Sequence, residues 1–327
     1  MNRAERAVLS LLLLTPAGCR AASVPGAEQP EPPIAGEIVA CGERFPASVA
    51  VVRWFEEPHY DAYLTEPRFA AELPAGAERP SGLRYRAGRK VADPALAARV
   101  EREGWTLATL REQLDLFVVH YDACGTSREC FRVLQDVRGL SVHFLLDVDG
   151  TIYQTLDLAD EAWHARVANP RSIGIEIAHI GAYPPEESEP LAEWYRAGED
   201  GGVELVIPRE LEGSLRVPGF SRRPARAEPV TGPIHGALYR QYDFTEEQYR
   251  SLAALLATLS ELFPRIALEV PCDAAGAVRT DELSAAELER FHGVLGHHHV
   301  TREKRDPGPA FDWERVLREA RLLRARP

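Results

Sequence analysis

The chain has no excess of basic residues, few cysteines, and an N-terminal apolar run that is too short to cross a bilayer. Its 327 residues include 38 Lys+Arg and 50 Asp+Glu, for a formal net charge of −12. Without a basic stripe, a chain this acidic lacks the usual means of neutralising phosphates, so we expect no nucleic-acid partner. What the chain does have is 45% hydrophobic residues. That share supports a buried core, in one large domain or one domain with additions.

The first 19 residues (MNRAERAVLSLLLLTPAGC) have the pattern of an export signal. Two arginines precede a short apolar run, and small residues stand directly before Cys19. This ending resembles a bacterial lipobox, in which the cysteine is lipidated, although Pro16 stands where an aliphatic residue is usual. We expect an exported, periplasmic lipoprotein anchored to a membrane through Cys19. Plain secretion and a coincidental apolar start are the alternatives.

Five cysteines is an odd number, and lipidation of Cys19 would leave four for pairing. Export makes disulfides permissible. Cys124 and Cys130 lie close in sequence and are predicted to pair, which leaves Cys41 with Cys272 by elimination. The alternative is that some of these cysteines are buried free thiols, above all in the second pair.

The composition divides the chain into four parts. Residues 20–38 are rich in Pro, Ala and Glu and predict a flexible tether. Residues 39–112 contain a strand-like run (50–54) and a helical stretch (about 94–114), and their pattern assigns no function. Residues 113–327 form the main domain, which is interrupted by a Pro-rich and Glu-rich excursion at 181–240.

Within the main domain, apolar patterns predict alternating strands and helices. Residues 116–120 (LFVVH) suit a strand buried on both faces, and Asp149-Gly150 between two apolar runs predicts a hairpin. Residues 172–179 (SIGIEIAH) alternate as a further strand. Helices are predicted at 130–138, after the capping box of Thr245, after that of Ser284 and leading into 296–299, and over about 313–324. The pattern is that of an α/β domain with a central mixed β-sheet flanked by helices.

Two residues on these strands are candidates for chemistry. His120 ends a buried strand, at the sheet edge where α/β proteins place ligands, and a metal is one partner that a buried imidazole accepts. A structural histidine is the alternative. Glu176 lies between isoleucines, where an unpaired carboxylate is costly to bury and becomes a candidate general base. A solvated Glu176 on the open face of a strand explains the pattern equally well.

The stretch 296–313 (GHHHVTREKRDPGPAFDW) adds a histidine triplet and an aspartate pinned before a proline. One of these histidines, a distant histidine and Asp306 would supply three ligands and leave a fourth position open. This is the ligand count of a catalytic zinc site, although the long, irregular spacing is not diagnostic.

Five blocks of the sequence together resemble a known family. They are LFVVH (116–120), SVHFLLDVDGTIYQ (141–154), AWHA (162–165), SIGIEI (172–177) and GH…KRDPGPAFDW (296–313). In this order they are similar to the zinc-dependent N-acetylmuramoyl-L-alanine amidases related to the peptidoglycan-recognition proteins. The resemblance covers residues 114–180 and 240–320. It implies hydrolysis of the amide between N-acetylmuramic acid and L-alanine in peptidoglycan or muropeptides, with a non-catalytic peptidoglycan-binding module as the alternative.

The resemblance also implies roles for individual residues. Gly296 beside His297 favours that histidine as a ligand over His298 or His299, in a segment one residue shorter than in the cytoplasmic anhydro-muropeptide amidases. The spacing of Cys124 and Cys130 resembles the short disulfide loop of the recognition proteins. The remaining roles implied are zinc ligands for His120, His297 and Asp306, action on the attacking water for Glu176, oxyanion stabilisation for Lys304, and lining of the substrate groove for Trp163 and His164.

Overall fold

The structure, a computed structural model, describes residues 36–73, 80–187, 189–199 and 201–325. The predicted export signal, Cys19 and nearly all of the predicted tether lie outside the described residues. The strands are β1 (Gly36–Ala40), β2 (Glu43–Ala47), β3 (Val51–Arg53), β4 (Tyr85–Arg86), β5 (Leu116–Tyr121), β6 (Phe144–Leu146), β7 (Ile152–Gln154), β8 (Glu161–Ala162), β9 (Ser172–Ile177), β10 (Tyr195–Ala197), β11 (Val203–Leu205), β12 (Val230–Ile234), β13 (Ala237–Gln241) and β14 (Gly293–Gly296). The α-helices are α1 (Pro94–Glu103), α2 (Leu107–Gln113), α3 (Ser127–Phe131), α4 (Glu189–Trp194), α5 (Arg209–Glu212), α6 (Glu246–Leu262), α7 (Ala285–Arg290), α8 (His297–Val300) and α9 (Trp313–Arg324).

A six-stranded mixed sheet forms the centre of the fold, in the order β14-β5-β9-β6-β7-β3. Strands β14, β5, β9 and β6 run parallel, β7 pairs antiparallel with β6, and β3 pairs parallel with β7. All six residues of β5 are buried, as its continuous apolar sequence predicts for a strand covered on both faces. The predicted α/β class and mixed central sheet are confirmed.

Helices α6 and α9 cover one face of this sheet. The capping box of Thr245 and Gln248 forms as predicted, with 2.9 Å between the Thr245 amide N and Gln248 Oε1. The apolar side of α6 joins one core cluster with α9 and with the isoleucines of β9. The helix ends at Leu262, two residues before Pro264, because proline cannot continue the hydrogen-bond ladder.

The region after the second capping box differs from its prediction. A helix does begin after Ser284, but α7 ends at Arg290 and the chain enters strand β14 instead of continuing into the histidine triplet. Gly293 permits the change, because its φ of 149° is unfavourable for other residues and a Cβ would lie 2.8 Å from the Glu269 carbonyl oxygen. Val294 and Leu295 then pair with β5 at the edge of the sheet. The predicted helix leading into 296–299 is wrong on this point.

Residues 39–112 are built into the main domain. Strand β3 is the edge strand of the central sheet, and the Val39 amide N and carbonyl O each lie 2.8 Å from the Gln154 side chain. Arg89 is buried and donates to the carbonyl oxygens of Leu158 and Ser172, both at 2.9 Å. Strand β1 begins at Gly36, so the last three residues of the predicted tether belong to it.

The excursion at 181–240 contains two antiparallel hairpins, β10–β11 and β12–β13. Its first and last segments are joined by backbone hydrogen bonds between Tyr183 and Arg240 of 3.0 and 2.7 Å. Leu191, Tyr195 and Leu205 pack in a small apolar cluster together with Val148 and Ala178 of the main domain. In its described residues, the excursion is therefore an ordered addition that packs on the domain through a shared apolar cluster.

The four described cysteines are free thiols. Cys130 is buried on an apolar cluster at whose margin Cys124 packs, and the two sulfurs are not bonded. Cys41 is half-buried and Cys272 is exposed. The structure thus contains neither predicted disulfide. Among the described residues, no helix combines the length and apolar character needed to cross a membrane.

Candidate active site

The sheet brings two histidines that are distant in sequence to one point. Gly296, the last residue of β14, pairs with Val119 of β5, so the residues that follow, His297 and His120, emerge side by side. Their Nδ1 atoms are 2.9 Å apart. Asp306 Oδ2 lies 2.9 Å from Nδ1 of His120 and 3.1 Å from Nδ1 of His297. The three side chains predicted as metal ligands therefore converge.

These three residues are chemically suited to a metal ion. They are buried, and their ligand atoms all lie within 4.8 Å of one another, a grouping seen nowhere else in the described residues. Burial, with the neighbouring His297, lowers the pKa of His120 to about 4, so its ring is neutral as a metal ligand must be. Burial alone would raise the pKa of Asp306, but the charge of His297 and hydrogen bonds from both histidines hold it below its usual range.

Of the other two histidines of the triplet, His298 supports the loop that carries Asp306, and His299 links Gly296 to Arg279. The backbone N and the ring Nδ1 of His298 lie 3.1 and 3.0 Å from the carbonyl oxygen of Asp306. The His299 ring spans from the Gly296 amide at 2.9 Å to the Arg279 carbonyl at 2.7 Å. Of the three histidines in the triplet, only His297 has a ring nitrogen grouped with those of His120 and the carboxylate of Asp306.

His164 stands behind His120. Its Nδ1 lies 3.0 Å from Nε2 of His120, and its Nε2 lies 3.3 Å from Ser172 Oγ. Burial, and then the neighbouring His120, lower the pKa of His164 well below its usual value. Gly174 leaves room for this ring, since a Cβ there would approach it to 2.5 Å. His164 also lines the groove described below, as does the half-buried Trp163.

Glu176 lies directly across from His120 in the pairing of β9 with β5. Its Oε2 is buried with no hydrogen-bond partner among the described residues. Burial, reinforced by the nearby charge of Asp306, raises the pKa of Glu176 well above its usual value. The sequence left two alternatives for Glu176, a buried carboxylate or a solvated one. The structure contains the buried carboxylate. A carboxylate in this environment is suited to proton transfer.

His297, Asp306, His164 and Glu176 line a groove of about 570 Å³. Lys304 lines it two residues before Asp306, as expected, and its carbonyl oxygen lies 2.9 Å from Nε2 of His235. The groove is lined by Tyr121, Asp122, Ala123, Cys124, Cys130, Val133, Leu134, Arg138, Leu140, Trp163, His164, Arg166, Asn169, Glu176, His235, Tyr239, His297, Arg302, Glu303, Lys304, Arg305 and Asp306.

The excursion contributes one wall of this groove, which no sequence pattern had predicted. His235 and Gly236 both have positive φ, 53° and 81°, and form the two-residue turn between β12 and β13. A His-Gly pair between two short runs was the available signal for this hairpin, but nothing in sequence linked it to Lys304. Tyr239, on β13, lines the groove as well.

The sequence model of Amidase_2, described as N-acetylmuramoyl-L-alanine amidase, matches residues 110–309. The chain belongs to this family. The match contains every residue predicted for zinc binding, catalysis and the groove, and it begins after most of the N-terminal region. The predicted activity, hydrolysis of the N-acetylmuramoyl-L-alanine amide of peptidoglycan, is confirmed by family membership.

Among solved structures, a selenomethionine derivative of AmpD is 19% identical, covering 76% of this chain and 96% of its own, with a TM-score of 0.33. The amidase AmiD from E. coli is 17% identical, covering 63% and 57%, with a TM-score of 0.34. The endolysin amidase LysCS from Clostridium intestinale is 16% identical, covering 65% and 86%, with a TM-score of 0.32. No curated protein matches the chain.

Proposed function

We propose that this amidase depends on zinc held by His120, His297 and Asp306. The observation that carries the proposal is the convergence of their three ligand atoms at a groove. Two imidazole nitrogens and one carboxylate oxygen are ligands that Zn²⁺ accepts, and catalytic zinc sites keep the fourth position open. His120, His297 and Asp306 would hold the ion, since their three ligand atoms lie within 4.8 Å of one another.

The residues around this site then have distinct tasks in the reaction. Bound zinc would polarise the scissile carbonyl and make a water molecule more acidic. Glu176 takes the proton of the attacking water and delivers it to the amine of L-alanine as the C–N bond breaks. The Lys304 ammonium offsets the negative charge on the carbonyl oxygen in the transition state, an effect of about 3 kcal/mol for one donor.

Peptidoglycan or its muropeptide fragments are the substrate class. AmiD was solved in a complex with anhydro-N-acetylmuramic acid-L-Ala-D-γ-Glu-L-Lys. We propose that the groove of this chain likewise takes a muramyl sugar joined to a short peptide stem. Its volume of about 570 Å³ is within the range of small-molecule clefts, which suits a short fragment.

Metal analysis together with mass spectrometry of digested muropeptides tests this function. The zinc-loaded protein should release N-acetylmuramic acid and a peptide that begins with L-alanine. Glu176→Gln should retain zinc and lose about 10²–10⁴-fold in turnover, the usual contribution of a general base. Glu289→Gln, an exposed change on α7, is the matched control. Near-normal cleavage by Glu176→Gln would refute the assigned role, and retention of muropeptide without cleavage by the wild type would favour a binding module.

We also propose that the protein is exported to the periplasm and anchored to a membrane through a lipid on Cys19. The support is the sequence of residues 1–19, with its charged start, short apolar run and small residues before the cysteine. Membrane fractionation of a Cys19→Ala variant tests it. Release of that variant into the soluble fraction is expected, and an unchanged distribution would exclude the anchor.

A further inference from the structure

Basic residues line the groove of an otherwise acidic chain. The chain carries a net charge of −12, yet five basic side chains line the groove: Arg138, Arg166, Arg302, Lys304 and Arg305. Arg166 pairs with Glu303. Among the described residues, no carboxylate pairs with Arg138, Arg302 or Arg305. The groove therefore contains three guanidinium groups that form no salt bridge with a carboxylate of the described residues.

Each carboxylate that lines the groove either contacts another polar group or is buried. Asp306 faces the two histidines, and Glu303 faces Arg166. Asp122 accepts hydrogen bonds from the backbone amides of Cys124, Gly125 and His179, and Glu176 Oε2 is buried beside the sheet. The unpaired arginines are not neutralised locally, and an anionic part of a ligand would be attracted to them.

Arg305 differs from the other two unpaired arginines because it is held in place. Its guanidinium lies over the rings of Tyr183 and Tyr239, 5.6 and 5.1 Å from their centroids. Its Nε donates to the hydroxyl of Tyr121 at 3.1 Å. Arg138 and Arg302 are exposed. A guanidinium that is stacked and anchored in advance loses less side-chain entropy when it binds a carboxylate.

The position of Arg305 indicates which part of the substrate it meets. Arg305 lies between Lys304 and Asp306 in sequence, next to the reacting amide of the proposed function. On a muropeptide the sugar and the amide under attack carry no charge, whereas the peptide stem carries free carboxylates. We propose that Arg305, held between Tyr183 and Tyr239, binds a stem carboxylate and makes the enzyme prefer stems whose carboxylates are free over stems in which they are amidated.

This inference rests on the proposed function, and it gives part of the excursion a role. Tyr183 and Tyr239 both belong to residues 181–240, and backbone hydrogen bonds between Tyr183 and Arg240 hold the two segments together. The excursion thus fixes the direction of a guanidinium that comes from the catalytic loop. Planar guanidinium groups match carboxylates with two parallel hydrogen bonds, which a neutral amide cannot accept in the same way.

The test uses N-acetylmuramyl-L-Ala-D-γ-Glu-L-Lys in four forms: unmodified, amidated at the α-carboxylate of glutamate, amidated at the lysine carboxylate, and amidated at both. We expect the zinc-loaded wild type to favour the unmodified form by about 10-fold to 100-fold in kcat/KM, mainly through KM. The singly amidated forms identify which carboxylate Arg305 binds. Arg305→Gln should abolish the preference, and Arg305→Lys should keep part of it.

Arg318→Gln, an exposed change on α9 that alters net charge equally, should leave the preference intact. Thermal unfolding of each variant shows that the fold is kept. An Arg305→Gln variant that still discriminates, or a wild type that does not, overturns the proposal. Titration calorimetry with the same four forms separates it from the amidase function. A wild type that binds the free stem preferentially without cleaving it would support the subsite and refute the proposed reaction.

Discussion

Both ring nitrogens of His120 contact other polar side chains, and these contacts determine which nitrogen can bind a metal ion. Its Nδ1 faces Asp306 and His297, and its Nε2 faces Nδ1 of His164 at 3.0 Å. When Nδ1 is the ligand atom, the Nε2–H donates to His164, whose own Nε2–H can then donate to Ser172. Such outer contacts fix the tautomer and orientation of a ligating ring. His164 is therefore a positioning residue as well as part of the groove wall.

His164→Ala should weaken zinc binding by about 10-fold to 100-fold, because the His120 ring would lose the acceptor that orients it. Competition with a chelator measures the affinity without reference to turnover. Trp163→Phe is the control, since it alters the same segment without a contact to His120. Equal zinc affinity in wild type and His164→Ala, with the fold retained, would show that the pair has no positioning role.

For individual residues, the sequence predicts metal ligands and catalytic groups better than it predicts the residues that hold the surrounding loops in place. His120, Glu176 and Asp306 were identifiable because each lies at a strand position or turn where its residue type is costly or constrained. His235 and Arg305 were not, because their importance comes from contacts between segments about 70 residues apart in sequence. The desolvation of Glu176 likewise depends on what covers the second face of β9, which a strand pattern alone cannot specify.

Among the elements, hairpin β12–β13 has the closest connection to the catalytic loop. His235 reaches the Lys304 carbonyl from the turn, and Gln241 contacts the Pro307 carbonyl at 2.9 Å and the Ala310 amide at 3.0 Å from the far end of β13. The hairpin thus braces the loop on both sides of Asp306. Its amide and imidazole groups satisfy backbone atoms that would otherwise be unpaired beside the groove.

His235→Asn should preserve the hairpin and impair the loop. Asparagine tolerates the positive φ of this position and favours a two-residue turn before glycine, but its shorter side chain cannot reach Lys304. With one hydrogen bond of about 1 kcal/mol lost, we expect kcat/KM to fall about 5-fold and the melting temperature to stay nearly unchanged. Leu238→Ala, an exposed change on the same hairpin, is the control. Unchanged kinetics in His235→Asn would mean that the loop holds its shape unaided.

Helices and strands with a strong local sequence pattern were predictable. Strands that form only because a neighbouring strand pairs with them were not. Helix α6 has a capping box, an apolar face and a terminating proline, so its limits follow from sequence. Strand β14 has only four residues and follows a capped helix. Its strand conformation comes from the hydrogen bonds that β5 offers at the sheet edge, which are visible only when the fold is known.

On the scale of the whole molecule, the region matched by the family model is not a separate unit. The match begins at residue 110, but the edge strand β3 and the buried Arg89 come before it. Removing Arg89 would leave the carbonyl oxygens of Leu158 and Ser172 buried without their donor. An unsatisfied buried polar group costs about 1–3 kcal/mol, so a few such losses approach the stability of a typical domain.

We therefore expect a fragment of residues 110–327 to lose cooperative unfolding, whereas residues 36–327 should unfold like the full chain. The shorter fragment lacks β3 on one edge of the sheet and the contacts of Val39 with Gln154, which lies in β7 beside that edge. Urea unfolding followed by circular dichroism and by tryptophan fluorescence measures this, and Arg89→Met in the full chain isolates the contribution of the buried guanidinium. A fragment of residues 110–327 that unfolds in one sharp transition and still cleaves muropeptide would show that the N-terminal region is dispensable, and that the catalytic half of the sheet supports itself.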